Sequence, residues 1–445
     1  MKKLILATFL VFGFIAAALA ESYESVDPTG AEATVWYRVN RDSQVAFMDK
    51  MTEEFNKSNS YGITIKAVSA GHYGEINTKF VNLIGTDELP DMSIGYQNQL
   101  ANWNMPGADS LMDMNDLVNS AKWALPAEVM SDIPAGFLGQ DIAADFGGQR
   151  LGFPLRRSME VLYANMDWLK ELGYSEIPKS PSEFKKAACK ASKQPFSKAV
   201  DTSASPMGWS FGTDASRLGS VILAMGGDTM NKHTNTYSLD SKEAMAAATL
   251  ISEMAAEGCL AAATEKYGEQ TDFGNGRVLF TTGSSSGLPY YGKAISKGAD
   301  FNWSIYSVPH ATTKPRANLY GPSFGITKKD DKRKQVAVWL WLQNFLKNEN
   351  LAEFVTLTNY TPVRLSTLDL LGDYRAKNPQ FDIVRDLMPT AGSETPPAAS
   401  YEEVRGMMKD AVADLLSGKD PKSVMQDLND QANEVQREII AEING

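Results

Sequence analysis

The pentapeptide Gly283-Ser284-Ser285-Ser286-Gly287 has the G-x-S-x-G form of a nucleophile elbow, a sharp turn that presents a serine Oγ to substrate. Asp300 and His310 follow in the acid-then-histidine order such a hydrolase uses, so Ser285 is a candidate nucleophile of a secreted serine hydrolase. Two observations weigh against it. The spacing to His310 leaves no room for the strands that normally separate these groups. Pro289, Tyr290 and Tyr291 stand where the following helix should begin. The plainer reading is a Gly/Ser turn whose N–H groups and hydroxyls suit a polar ligand. Other catalytic patterns are weaker. The three histidines, His72, His233 and His310, lie far apart, and no H-E-x-x-H or Cys/His cluster occurs, so no metal is expected. Ser182-Glu183-Phe184-Lys185 fits S-x-x-K without a K-T-G partner, and Ser182 reads as a helix cap. No Walker or dinucleotide glycine fingerprint is present, so no cofactor is expected.

Residues suited to binding recur instead. Tyr73 follows Gly71-His72; Tyr96, Gln97 and Asn98 follow a second strand-like run; Met207-Gly208-Trp209-Ser210, Tyr320-Gly321-Pro322-Ser323 and Asn359-Tyr360-Thr361-Pro362 complete the set. An aromatic face covers the C–H surface of a polyol while amides and hydroxyls pair with its hydroxyl groups. Arg156 and Arg157 could pair with a phosphate or with sugar hydroxyls; the alternative is a solvated surface or an interlobe ion pair.

These residues need elements to hold them. Thr34–Tyr37, Ile63–Val68 and Leu89–Tyr96 read as strands, with helices over Ser43–Asn56 and Glu75–Ile84 between them; this alternation predicts a parallel sheet covered by helices. A second unit begins near Gly152, with strands at Val161–Asn165 and Arg277–Thr282 and helices at Met166–Leu172, Ser182–Ala191 and Asp240–Glu257. Strand-like runs over Asn302–Val308 and Leu319–Lys328 precede an apolar helix, Gln335–Leu346. Ser400-Tyr401-Glu402-Glu403 has the form of a capping box, and Asp420-Pro421 starts a last helix.

The 445-residue chain opens with Lys2-Lys3, an apolar run from Leu4 to Leu19 and Ala18-Leu19-Ala20, the pattern of a signal peptide cut after Ala20, with no cysteine at the cut for a lipid anchor. Residues 21–32 read as a disordered leader. The formal charge of −11 disfavours nucleic acid and anionic membranes. Cys189 and Cys259 could form one disulfide or remain buried thiols; both readings stay open.

Gly85-Thr86-Asp87-Glu88-Leu89-Pro90-Asp91, Gly152-Phe153-Pro154-Leu155 through Val161–Asp167, and Tyr360-Thr361-Pro362-Val363-Arg364 resemble the family 1 extracellular solute-binding proteins of bacterial ABC importers. The resemblance implies an α/β, two-lobed periplasmic binding protein of type II-like form, with parallel-rich sheets flanked by helices, a hinge and an interlobe cleft. On that pattern residues 1–20 are the signal peptide, 31–150 and 300–330 form lobe 1, and 151–299 and 331–445 form lobe 2. It implies a periplasmic, monomeric carrier, not an enzyme, that takes a carbohydrate or polyol phosphate to a membrane permease. Its cleft positions fall on Tyr73, Trp209, Ser285, Gly321 and Tyr360; Gln97 stands where glycerol-phosphate binders have an acidic residue, and their late arginine falls near Pro397. Arg157, Ser158 and Tyr320 complete the expected ligand-binding set. Those two departures favour a neutral sugar.

Overall fold

Alternation along Glu32–Tyr37 turns Ala33, Val35 and Tyr37 into the core, and the strand pairs in parallel with Thr64–Ser69 and Met92–Gly95. Helices Asp42–Ser58 and Tyr73–Leu83 make the crossovers, as the spacing predicts. In the computed structural model, which describes residues 23–39, 41–200, 204–263 and 268–445, two strands from later in the chain complete this sheet. Ser323–Ile326 lies antiparallel beside Met92–Gly95, and Phe153–Pro154 lies beyond it. The second sheet runs in the order Leu260–Ala262, Met207–Phe211, Val278–Ser284, Arg156–Asn165, Trp303–Tyr306. Its first three strands are mutually parallel, whereas Arg156–Asn165 is antiparallel to both of its neighbours on that path. All ten residues of Arg156–Asn165 are buried, so this strand is the spine of the second lobe.

The chain passes between the lobes three times. Phe153–Pro154 belongs to the first sheet and Arg156–Asn165 to the second. Leu319–Tyr320 pairs with Met159 and Ser158, and Ser323–Ile326 returns to the first sheet. The third passage follows Leu365–Leu371, which packs on helix Asn348–Thr358, and precedes Gln380–Leu387, which packs on Trp303–Tyr306. Thr361–Pro362 pairs with Arg157 and Arg156, so strands from distant parts of the chain meet at one pivot.

Several expectations change. The signal peptide lies outside the described residues. Residues 23–32 are folded: Val26 and Ala31 are buried, and the Trp123 indole N–H donates to the Tyr23 carbonyl at 2.7 Å. Residues 303–306 join the second sheet, not lobe 1. Helices Lys332–Phe345 and Asn348–Thr358 pack on the first lobe, not the second; the former buries Trp339 and Trp341 there, and an apolar helix does not carry in its own sequence the identity of the sheet it covers. Ser400 is not a cap: its backbone is helical, and its hydroxyl donates to Gln436. The second lobe's helix cap is Ser180, not Ser182, accepting from the Glu183 N–H with Pro181 in the first turn. Cys189 and Cys259 are joined in a disulfide. Among the described residues no helix is long and apolar enough to cross a membrane.

Candidate interlobe binding site

Two parallel strands of the first sheet end at Ser69 and Gly95, and each is followed by a tyrosine at a helix start, Tyr73 and Tyr96. Carboxyl ends of parallel strands are where open α/β sheets place ligands. Both rings, with Asn98 and Gln99, form the first-lobe wall of an interlobe cavity of about 350 Å³. Opposite stand Glu160 from the spine strand, Asp214 and Arg217 at the start of helix Ala215–Ala224, Tyr320, and Glu394, Glu402 and Arg405 from the C-terminal region.

Glu160 is fully buried at the base of this cavity. One oxygen pairs with Arg217, and the other accepts from the Tyr320 hydroxyl at 2.9 Å. Burial pushes its carboxyl up to about 7, and the attraction of Arg217 only partly opposes this. The folded state therefore binds a proton that the unfolded chain, near 4.5, has already released. The contribution of Glu160 is most favourable below about 4.5 and is lost as pH rises through about 7. Thermal unfolding of wild type and Glu160→Gln between pH 5 and 8 checks this. The wild type should lose stability relative to the variant as pH rises; a constant difference contradicts the assignment.

Glu394, also buried, accepts from Ser216 Oγ at 2.5 Å, from the Tyr401 hydroxyl at 3.1 Å and from Thr395, with Arg405 at 3.6 Å. Across the cleft, Asn98 donates to Glu402. Beside Tyr73 stands a second cluster. Arg156 donates to the Tyr73 hydroxyl at 2.6 Å and to the Arg38 carbonyl at 3.0 Å, and its guanidinium lies 4.6 Å over the Tyr360 ring. The Tyr73 ring also carries Arg38 at 4.5 Å and meets Tyr96 edge-on at 4.9 Å.

Of the residues expected in the site, Tyr73 and Tyr320 line the cavity, and Tyr360 is linked to it through Arg156. Ser158 and Ser285 pair with each other at 3.1 Å, buried behind the wall. Arg157, Gln97 and Gly321 belong to the pivot. Gln97 donates to Asp141 Oδ1 at 3.0 Å and to the Gly321 carbonyl at 3.2 Å. A Cβ on Gly321 would stand 2.8 Å from the Arg156 carbonyl oxygen, so this close strand crossing needs glycine. Trp209 is core. It is fully buried, edge-on to Phe184 and Phe211, and donates to Thr282 Oγ1 at 2.8 Å. Trp209→Ala should therefore lower stability by about 3 kcal/mol in urea unfolding; unaltered stability with lost ligand affinity would return it to the cleft.

A helix, Leu288–Lys297, does begin after the GSSSG turn, with its proline tolerated in the first turn. Ser285 Oγ nevertheless accepts from the Met159 N–H at 3.1 Å, while His310 Nδ1 meets the Thr312 carbonyl oxygen at 2.7 Å. No hydrogen bond joins this serine to a histidine among the described residues, so the elbow lacks its base.

Sequence reading missed Glu160, Asp214, Arg217, Glu394, Glu402 and Arg405. A signal existed for two of them. Glu160 stands between Met159 and Val161 in a buried strand, and Arg217 interrupts an apolar helix; a charge in such a place must be paired.

Residues 50–382 match the family profile described as bacterial extracellular solute-binding protein. The sn-glycerol-3-phosphate-binding periplasmic protein UgpB of Salmonella typhimurium is 23% identical over 303 residues, which are 65% of this chain and 68% of that protein. Among solved structures, the sugar-binding protein MalE of Xanthomonas citri superposes with a TM-score of 0.76 at 17% identity, covering 93% of this chain and 100% of that one. UgpB of Mycobacterium tuberculosis, in complex with glycerophosphocholine, gives 0.71 at 19% identity, covering 92% and 99%. With three-quarters of its length inside the family match, this chain belongs to the bacterial extracellular solute-binding proteins.

Proposed function

We propose that the protein captures a carbohydrate, an uncharged sugar in preference to a polyol phosphate, and delivers it unchanged to the permease of an ABC importer. One observation carries the choice of ligand. The cleft presents four carboxylates, Glu160, Asp214, Glu394 and Glu402, and two guanidiniums; Arg217 is held by Glu160, and Arg405 faces Glu394. Carboxylates accept from sugar hydroxyls, whereas a phosphate would meet their repulsion. Arg156, the other candidate for an anion, is committed to Tyr73 and to the Arg38 carbonyl. Release of the mature chain into the periplasm and a monomeric state complete this reading.

A thermal-shift panel of mono- and oligosaccharides, with glycerol-3-phosphate and glycerophosphodiesters, tests it. A ligand that binds only the folded state raises the melting temperature by mass action. At least one neutral sugar should raise it, and solution scattering should show the two lobes closing on that sugar. A shift with glycerol-3-phosphate and none with any sugar overturns the ligand assignment.

A further inference from the structure

Outside the pivot, side chains also join the two lobes. Arg41 of the first lobe lies 5.0 Å over the Tyr290 ring of the second. A more extensive contact centres on Asp145, between the paired strands Ile142–Ala143 and Gln149–Arg150. This hairpin belongs to the first lobe: the Arg150 N–H donates to Asp113 Oδ1 at 2.9 Å, and Asn104 donates to Gln149 Oε1 at 3.1 Å. Asp145 Oδ1 accepts from two amides of the second lobe, Asn235 Nδ2 at 2.5 Å and Gln436 Nε2 at 3.0 Å. Both donors are held from behind. Gln436 is 1% exposed on helix Pro421–Asn444, and its Oε1 accepts from Ser400, which the Tyr237 hydroxyl meets at 2.9 Å. Asn235 has a left-handed backbone, with φ of 55°, in the turn between Met230–Asn231 and Thr236–Tyr237. Neither Asp145 nor its two amide partners line the sugar cavity.

We propose that Asp145 is a positioning residue for ligand capture: a latch, received by amides already in place on the second lobe, that draws the molecule toward the closed arrangement before a sugar enters. Hydrogen bonds to a carboxylate are roughly twice as strong as neutral ones. Asp145 Oδ2 is buried in the contact without a donor, which offsets part of that gain, so the latch holds the lobes without locking them. A ligand that needs the closed form binds more tightly the more of that form exists beforehand. The inference rests on the reading above of a cleft that closes on a sugar, and it ties affinity to a residue outside the sugar cavity.

Paired spin labels, one on each lobe of the full chain, measure the interlobe distance without ligand. Titration calorimetry measures affinity for the sugar identified by the thermal-shift panel. The unliganded protein should show a minor short-distance population that saturating sugar makes dominant. Asp145→Ala should deplete that population about tenfold and weaken sugar binding by the same factor. Asn235→Gly keeps the Gln436 donor and suits the left-handed backbone, so it should weaken binding about threefold without disturbing the fold. The double variant should match Asp145→Ala alone, because both substitutions break one contact. An unliganded wild type with no short-distance population, or one that Asp145→Ala leaves intact, overturns the latch. Sugar affinity within twofold of wild type in Asp145→Ala overturns its role in capture. Losses that multiply in the double variant overturn the pairing with Asn235. If no sugar binds but Asp145→Ala still depletes the short-distance population, the carbohydrate reading fails while the latch stands.

Discussion

Arg157→Ala should lower the unfolding free energy by about 4 kcal/mol, the cost of stranding one member of a buried ion pair. Arg157 and Asp141 are both fully buried and 3.2 Å apart. The same guanidinium donates to the carbonyl oxygens of Pro322 at 2.9 Å, Arg156 at 3.1 Å and Phe137 at 3.3 Å, and to Ser323 Oγ at 3.1 Å. Those partners lie on the strand crossings and on the first lobe, so one side chain pins the pivot. Its removal leaves the Asp141 carboxylate facing Gln97 and Ser323 alone and strips several carbonyl oxygens of their donors. Urea unfolding should show a lower midpoint at unchanged slope. The double variant Arg157→Met, Asp141→Leu should recover more than half of the loss, because removing both charges of a buried pair is often close to neutral. A single-variant cost below about 1 kcal/mol would show that the pair does not hold the pivot.

Arg217→Met should weaken sugar binding about a hundredfold, equivalent to roughly 3 kcal/mol. Arg217 pairs with Glu160 at the cavity base and stands 3.8 Å from Asp214 at the rim, so it orients two of the four carboxylates. Without it Glu160 keeps only the Tyr320 hydroxyl, and a carboxyl in that position takes up a proton and loses one acceptor for the ligand. Titration calorimetry with the sugar identified by the panel measures the effect. Glu160→Gln combined with Arg217→Met should bind no worse than Arg217→Met alone, because the carboxyl is already protonated once its partner is gone. Affinity within twofold of wild type in the single variant would remove this pair from the binding surface.

Elements whose signals are local were legible in the sequence. The first three strands and two helices follow from alternation and from helical spacing, and the last helix from Asp420 capping ahead of Pro421. What depends on distant partners was not. The run Leu319–Lys328 reads as one strand, yet Gly321 splits it into pieces that belong to different sheets. Ser400 has the form of a cap because Glu403 follows it, but Gln436, far along the chain, takes its hydroxyl. The site shows the same division. Tyr73 and Tyr320 sit at strand ends, a position pattern can find. Trp209 sits in a Gly/Ser-rich stretch that looks open until Phe184 and Phe211 close on it. Glu394 comes from an irregular segment and Arg405 from a helix whose apolar spacing says nothing of the spine strand.

The triple passage of the chain also bears on how this molecule can be divided. Neither half is one continuous stretch: the first gathers residues on both sides of 153 and again beyond 323, and the second gathers 156–165, 303–306 and everything after 380. A gene fragment truncated at either of the first two crossings therefore encodes strands without their neighbours, and one truncated at the third lacks the C-terminal helices of the second lobe. A protease cut at a single crossing severs the backbone without releasing a free half, since the two remaining passages still tether the parts.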